Sequence, residues 1–320
     1  MLRYATKRLL IAVPMLLMAS FVMFLMVSFS GDPLSRIRSQ DPPPPPEALE
    51  SLEKQLGLDK PVLERYVIWL FGLFRGDFGQ SIMNIDIGAE LGNRVTVSFR
   101  LIFLAIIIAA VVAVIVGVVG ALRQYGFVDN VVSTVVFVLL AVPVFWLGVL
   151  LKHWAVSFNE TVGSTVFYTI GDGSRQNATG LALIGFLVLP TIVLTVNVFA
   201  SWSRYVRASM VEVMNADYMK LARAKGLSRG QAVWKHGLRN ALLPFVTIVA
   251  LDFSALVGGA VVTESVFQWR GMGDFLLTGI RNLDVNVVMA WLLIFAAATI
   301  LMNLIADLVY GLLDPRIRHS

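Results

Sequence analysis

The side chain best placed to do chemistry within this sequence is Asp252, near the middle of the apolar run Ala241–Val262. A carboxylate in such surroundings is costly to desolvate and faces either an aqueous path or a partner. Two roles stay open: with Ser254 it lines a route for a solute, or it accepts a buried hydrogen bond from a neighbouring chain. Asp307 is expected to pair with Arg316 or Arg318 near the inner end of the last apolar run, and Asn197 and Asn303 to bond between helices. Gly258 and Gly259, flanked by Ala255 and Ala260, allow helices to approach closely. Covalent and metal chemistry have little to work with. Cysteine is absent and the three histidines, His153, His236 and His319, are scattered, so neither a thiolate nucleophile nor a histidine-built metal centre is expected. No stretch matches Gly-x-x-x-x-Gly-Lys-Ser/Thr, the loop that cradles nucleotide phosphates, so the chain itself is not expected to bind ATP or to be an enzyme.

The frame that must position these groups is a membrane one. Apolar residues make up 57% of the 320 and charged ones 15%, with a mean hydropathy of +0.76, far beyond what a soluble core uses. Six runs reach the roughly 20 residues that cross about 30 Å of hydrocarbon: Leu9–Phe29, Val95–Leu122, Val131–Leu151, Leu181–Phe199, Ala241–Val262 and Val287–Leu308. The expected fold class is an all-α integral membrane protein with six transmembrane helices. Lys and Arg number 3, 1, 8 and 2 in segments 1–8, 123–130, 200–240 and 309–320, against 2 in each of 152–180 and 263–286. This bias places both termini in the cytoplasm. The formal charge of +5 therefore reflects topology, not nucleic-acid binding. The first run follows Arg3, Lys7 and Arg8 but is too long for a signal-peptide core and lacks a clear Ala-x-Ala site, so it reads as an uncleaved anchor. Pro14 is expected in its first turns, where a missing N–H costs little.

Residues 31–94 form the one long outer segment. Pro42 to Pro46 read as a stiff polyproline spacer, and Leu49, Leu52 and Leu56 recur at helical spacing until Gly57 stops the run. Trp69, Phe71, Phe74 and Phe78 are expected at the membrane interface.

Ser203 to Asn240 is the strongest basic segment, with Arg204, Arg207, Lys220, Arg223, Lys225, Arg229, Lys235 and Arg239 against Glu212 and Asp217. Asp217 is expected to cap a short helix from Tyr218 to Lys225, ended by Gly226 in a left-handed conformation. Ser228 with Gln231 fits a capping box for the next helix, which leads through Asn240 to Pro244. Ala222, Ala224 and Gly226 keep the short helix thin enough to enter a groove on another protein. A solvated loop that only obeys topology has the same charge count, but the capped helix favours docking.

Seven stretches together resemble one family: Gly57-Leu58-Asp59-Lys60-Pro61, Arg75-Gly76-Asp77-Phe78-Gly79, Pro143-Val144-Phe145-Trp146-Leu147-Gly148, Ala222 to Ser228, Leu238-Arg239-Asn240-Ala241-Leu242-Leu243-Pro244, Glu264-Ser265-Val266-Phe267 with Gly271-Met272-Gly273, and Leu313-Asp314-Pro315-Arg316. In this order they are similar to the B-type permease subunits of binding-protein-dependent ABC importers for dipeptides and oligopeptides. The resemblance implies a type I importer permease fold, location in the bacterial plasma membrane, and half of a translocation pathway. It further implies a second homologous permease subunit, two ATPase subunits that carry ATP and Mg²⁺, an extracytoplasmic substrate-binding protein and surrounding lipid. It casts Asp217, Tyr218, Lys220, Leu221, Ala222, Arg223, Ala224, Lys225, Gly226, Leu227 and Ser228 as the coupling helix that docks on an ATPase. Lys220 and Leu221 replace the Glu and first Ala of the family's motif. The implied organisation is an anchor at 1–30, an outer segment at 31–94, a permease core at 95–312 with its coupling loop at 203–240, and a tail at 313–320. The competing class, a self-sufficient secondary transporter or channel, calls for an inverted repeat or paired intramembrane charges, and the sequence offers neither.

Overall fold

The computed structural model describes residues 2–313, with side chains described at 10–254, 256–258, 260–305 and 309. Asp307, Arg316, Arg318, Ala255, Gly259 and the stretch after Leu313 fall outside that description. The described residues are helical between their turns and contain no strand. Two compact units form, one from Arg100–Trp269 with 301–313, the other from Leu2–Phe99 with Arg270–Ile300.

In the first unit the helix α8 (Gly180–Asn215) is central, burying Leu189, Val193, Leu194, Val198, Trp202, Val206 and Met210. Around it lie α5 (Ile87–Leu122, from Arg100 on), α6 (Phe127–Ala141), α7 (Val144–Val162) and α11 (Leu238–Phe267). Glycine decides how near α5 comes. A Cβ at Gly117 would meet the Ser203 carbonyl oxygen at 2.8 Å, so only glycine admits this approach. The expected third span, Val131–Leu151, is not one straight helix. Pro143 lacks an N–H and pushes Val142 into extended backbone (φ −81°, ψ 120°), and α6 and α7 meet at 102°. Among the described residues five helices are therefore long and apolar enough to cross a membrane, or six crossings if the bent pair counts as one. The fourth helix also outlasts its apolar run: α8 continues from Phe199 to Asn215 because Trp202, Val206 and Met210 keep one face buried and no breaker intervenes.

In the second unit α1 (Leu2–Phe29) packs on α4 (Val62–Leu73) through Phe24, Tyr66 and Trp69, joined by Val285 and Met289. The Ser20 and Tyr66 hydroxyls share a hydrogen bond of 2.9 Å. Trp69 packs inside this cluster, whereas Phe71 and Phe74 are exposed. Pro14 lies well inside α1 instead of in its first turns, since the helix begins at Leu2. Pro46 opens α3 (Pro46–Gln55), and Gly57 follows it at φ +66°.

Asp284, buried between α12 (Met272–Arg281) and α13 (Val285–Leu313), accepts hydrogen bonds from the Ser81 hydroxyl at 2.7 Å, Ile82 N–H at 2.9 Å and Val287 N–H at 3.2 Å. Burial pushes its carboxyl above the usual range despite those donors. A group raised on folding binds more protons folded than unfolded, so its contribution is full below the unfolded value and lost as pH rises through the folded one. Asp284→Ala should lower unfolding free energy by about 2–3 kcal/mol through lost capping and three stranded donors, measured by thermal denaturation in detergent.

Candidate functional site

The candidate coupling region starts where α8 ends. Ala216 takes extended backbone (φ −66°, ψ 148°) and α9 runs from Asp217 to Ala224. Asp217 is therefore the first helical residue and not the cap. Its carboxylate pairs instead with Lys220 Nζ at 2.9 Å, which holds it below the ordinary range. The helix ends as expected: Leu227 N–H reaches the Ala222 carbonyl and Gly226 N–H reaches that of Arg223, the two bonds of a Schellman ending, with Gly226 at φ +91°. A Cβ there would touch nothing, so Gly226→Ala carries only the left-handed backbone penalty, about 1–2 kcal/mol. Faster hydrogen exchange at the Leu227 amide would report it.

Ser228 and Gln231 form the full capping box that opens α10 (Arg229–Ala232). A π turn over Val233–Gly237 then leads into α11.

The two faces of α9 differ. Met219 and Ala222 are buried against Gly237 and the end of α8, where the Met219 methyl lies 3.5 Å from the position of a Gly237 Cβ. Ala222 thus seats the helix on its own chain and is absent from the outer face. That face carries Tyr218, Leu221, Lys220, Arg223, Ala224 and Lys225, all exposed, with Leu227 half-buried. Trp234, in the π turn, is 76% exposed and was not anticipated, because the register of that turn decides which way it points.

The region is tied to the spans behind it. Arg229 donates to the Leu122 carbonyl at 3.1 Å, the last residue of α5. Arg207 on α8 grips Asp129 on α6 with two bonds, 2.6 and 2.5 Å, and the Tyr125 N–H adds a third at 2.9 Å. Deeper in, Trp202 Nε1 donates to Asp252 Oδ2 at 2.7 Å. Asp252 is half-buried and Trp202 fully so, so one hydrogen bond to this carboxylate comes from within the chain. Ser254 lies on the same helix and is partly buried. Asn197 is exposed on α8. Among the described residues no group of three or more His, Asp or Glu is placed to hold a metal.

Two family models cover most of the chain: binding-protein-dependent transport system inner membrane component, matched by residues 113–319, and the N-terminal part of such components, matched by residues 1–89. The chain belongs to this family. It is 38% identical over 325 residues to the oligopeptide transport system permease protein OppB of Mycobacterium tuberculosis, with all of both chains covered. It is 32% identical over 337 residues to the dipeptide transport system permease protein DppB of Alkalihalophilus pseudofirmus, and 34% over 322 to the glutathione transport system permease protein GsiC of Escherichia coli, again with both chains fully covered. Among solved structures, a chain of the inward-facing MetNI methionine ABC transporter shares the fold, with a TM-score of 0.55, 19% identity, and 70% of this chain and 96% of that one covered. The protein is a multi-pass inner-membrane permease of the type I importer fold.

Proposed function

We propose that the chain is one permease subunit of an ATP-driven importer of peptides, forming half of the pathway beside a second, homologous permease. Its α9 docks on an ATPase subunit, one of two that bind ATP and Mg²⁺, and an extracytoplasmic binding protein delivers the cargo. The observation that carries this reading is the two-sided coupling helix: an inner face seated on Met219 and Ala222, and an outer face that leaves Tyr218 and Leu221 in solvent beside cations. A helix that only closed a loop would have no reason to expose apolar side chains next to Arg223 and Lys225. The names of the relatives support peptides as cargo. In this reading both termini are cytoplasmic, and nucleotide-driven closure below moves α9; the pull reaches α5 through Arg229 and passes from α8 to α6 through Arg207, switching the cavity between its two openings. Asp252 and Ser254 border the path, with Asp252 held in place by Trp202.

The test is reconstitution. The purified chain alone should neither bind nor hydrolyse ATP, and the assembled complex should hydrolyse it faster when a peptide-loaded binding protein is added. Nucleotide binding by the isolated chain, or hydrolysis indifferent to the loaded receptor, would contradict the reading.

A further inference from the structure

A cavity of about 320 Å³ in the second unit is used by nothing above. Phe24, Ile68 and Trp69 supply apolar wall, and Lys60 and Arg65 supply positive charge. Lys54 and Asp77 stand at the same cavity. Lys54 is engaged by Glu50 at 2.6 Å, and Lys60 is 3.7 Å from Glu64. Arg65 differs from both: its guanidinium lies 5.8 Å from the Phe24 ring centre, and no carboxylate pairs with it among the described residues. Burial pushes it down from its ordinary value, the mark of a cation short of a counter-charge. The Trp69 indole N–H, buried beside it, has no acceptor among the described residues.

The cavity's place in the chain narrows the ligand. Phe24 is five residues from the end of the membrane-length helix α1, so the apolar wall stands at a membrane boundary. Beside it α1 exposes Met26 and Phe29, while α4 exposes Leu63, Val67, Phe71 and Phe74. Cations above an apolar floor at that depth match a molecule with an oxyanion at one end and hydrocarbon at the other.

We infer that this cavity binds the phosphate headgroup of an anionic phospholipid, with Arg65 and Lys60 holding the phosphate oxygens and the acyl chains lying along α1 and α4. A free phosphate shares the oxyanion but not the chains.

The delipidated full-length chain in detergent can be titrated by native mass spectrometry with phosphatidylglycerol, phosphatidylcholine and inorganic phosphate. Phosphatidylglycerol should bind more tightly than phosphatidylcholine. The double variant Lys60→Gln, Arg65→Gln should weaken it by roughly 25-fold, about fivefold per cation removed. Asp77→Asn, which keeps an oxygen for the Gly79 N–H, should tighten binding, a gain that misfolding cannot imitate. Equal binding of the two lipids, parental affinity in the double variant, or no gain in Asp77→Asn would overturn the proposal. Displacement of the lipid by millimolar inorganic phosphate would overturn it too, since the site would then take the free oxyanion.

Discussion

Peptide uptake by the assembled importer is expected to fall at least about 30-fold when Leu221 is changed to Asp, the loss that follows from deleting a 2 kcal/mol anchor. Leu221 is 56% exposed and Tyr218 43% exposed on the outer face of α9. Neither is needed to hold that helix to its own chain, since Met219 and Ala222 do so from the opposite side. In the proposed complex a charge at 221 therefore meets only the ATPase groove, where burying a carboxylate costs far more than the leucine contact returned. The stability of the isolated chain should be unchanged, while ATPase co-purification and peptide-stimulated hydrolysis both drop. Ala222→Asp is the contrasting variant. It drives a carboxylate into the seat of α9 and should lose chain stability together with transport. If Leu221→Asp kept both ATPase binding and uptake at parental levels, the outer face of α9 would not be the docking surface.

The parts of this region that were legible in the sequence are those whose physics is local. A Ser with Gln three residues on supplies both halves of a capping box, and a glycine supplies the left-handed residue that a Schellman ending needs, so Ser228, Gln231 and Gly226 could be placed without knowing the fold. Asp217 failed the same kind of reasoning because Ala216 had already adopted the extended cap conformation, leaving the aspartate one position inside the helix and free to pair with Lys220. Hydropathy found every membrane-length run but said nothing of direction within one, so the turn imposed by Pro143 passed as part of a straight span. Pairings across the chain left no trace at all. Asp129 and Arg207 are separated by 78 residues, and Trp202 and Asp252 by 50. Each pair is brought together by packing on α8, and packing depends on glycines such as Gly117 whose role is visible only once the neighbouring backbone is in place.

That long-range geometry makes the Asp129–Arg207 pair the site of the largest expected loss of stability. Asp129→Ala should lower the unfolding free energy in detergent by about 3–5 kcal/mol, because it strands a largely buried guanidinium instead of merely deleting a contact. The Asp129 side chain is 2% exposed and that of Arg207 28%, so water reaches little of the carboxylate. Gly120 reinforces the point: a Cβ there would lie 3.2 Å from both Asp129 Oδ1 and Arg207 Cδ, so α5 packs closely on one side of the pair. Arg207→Met should cost a comparable amount by leaving the carboxylate with the Tyr125 N–H as its remaining donor. Combining Asp129→Ala with Arg207→Met removes both charges, and the double variant should recover much of the loss, giving a strongly non-additive cycle. Single-variant costs within about 0.5 kcal/mol, the scale of a surface ion pair, would mean that this junction is hydrated and that α6 and α8 are held by their apolar contacts alone. The proposed pull on α8 would then have no rigid path to the bent helix pair through these two residues.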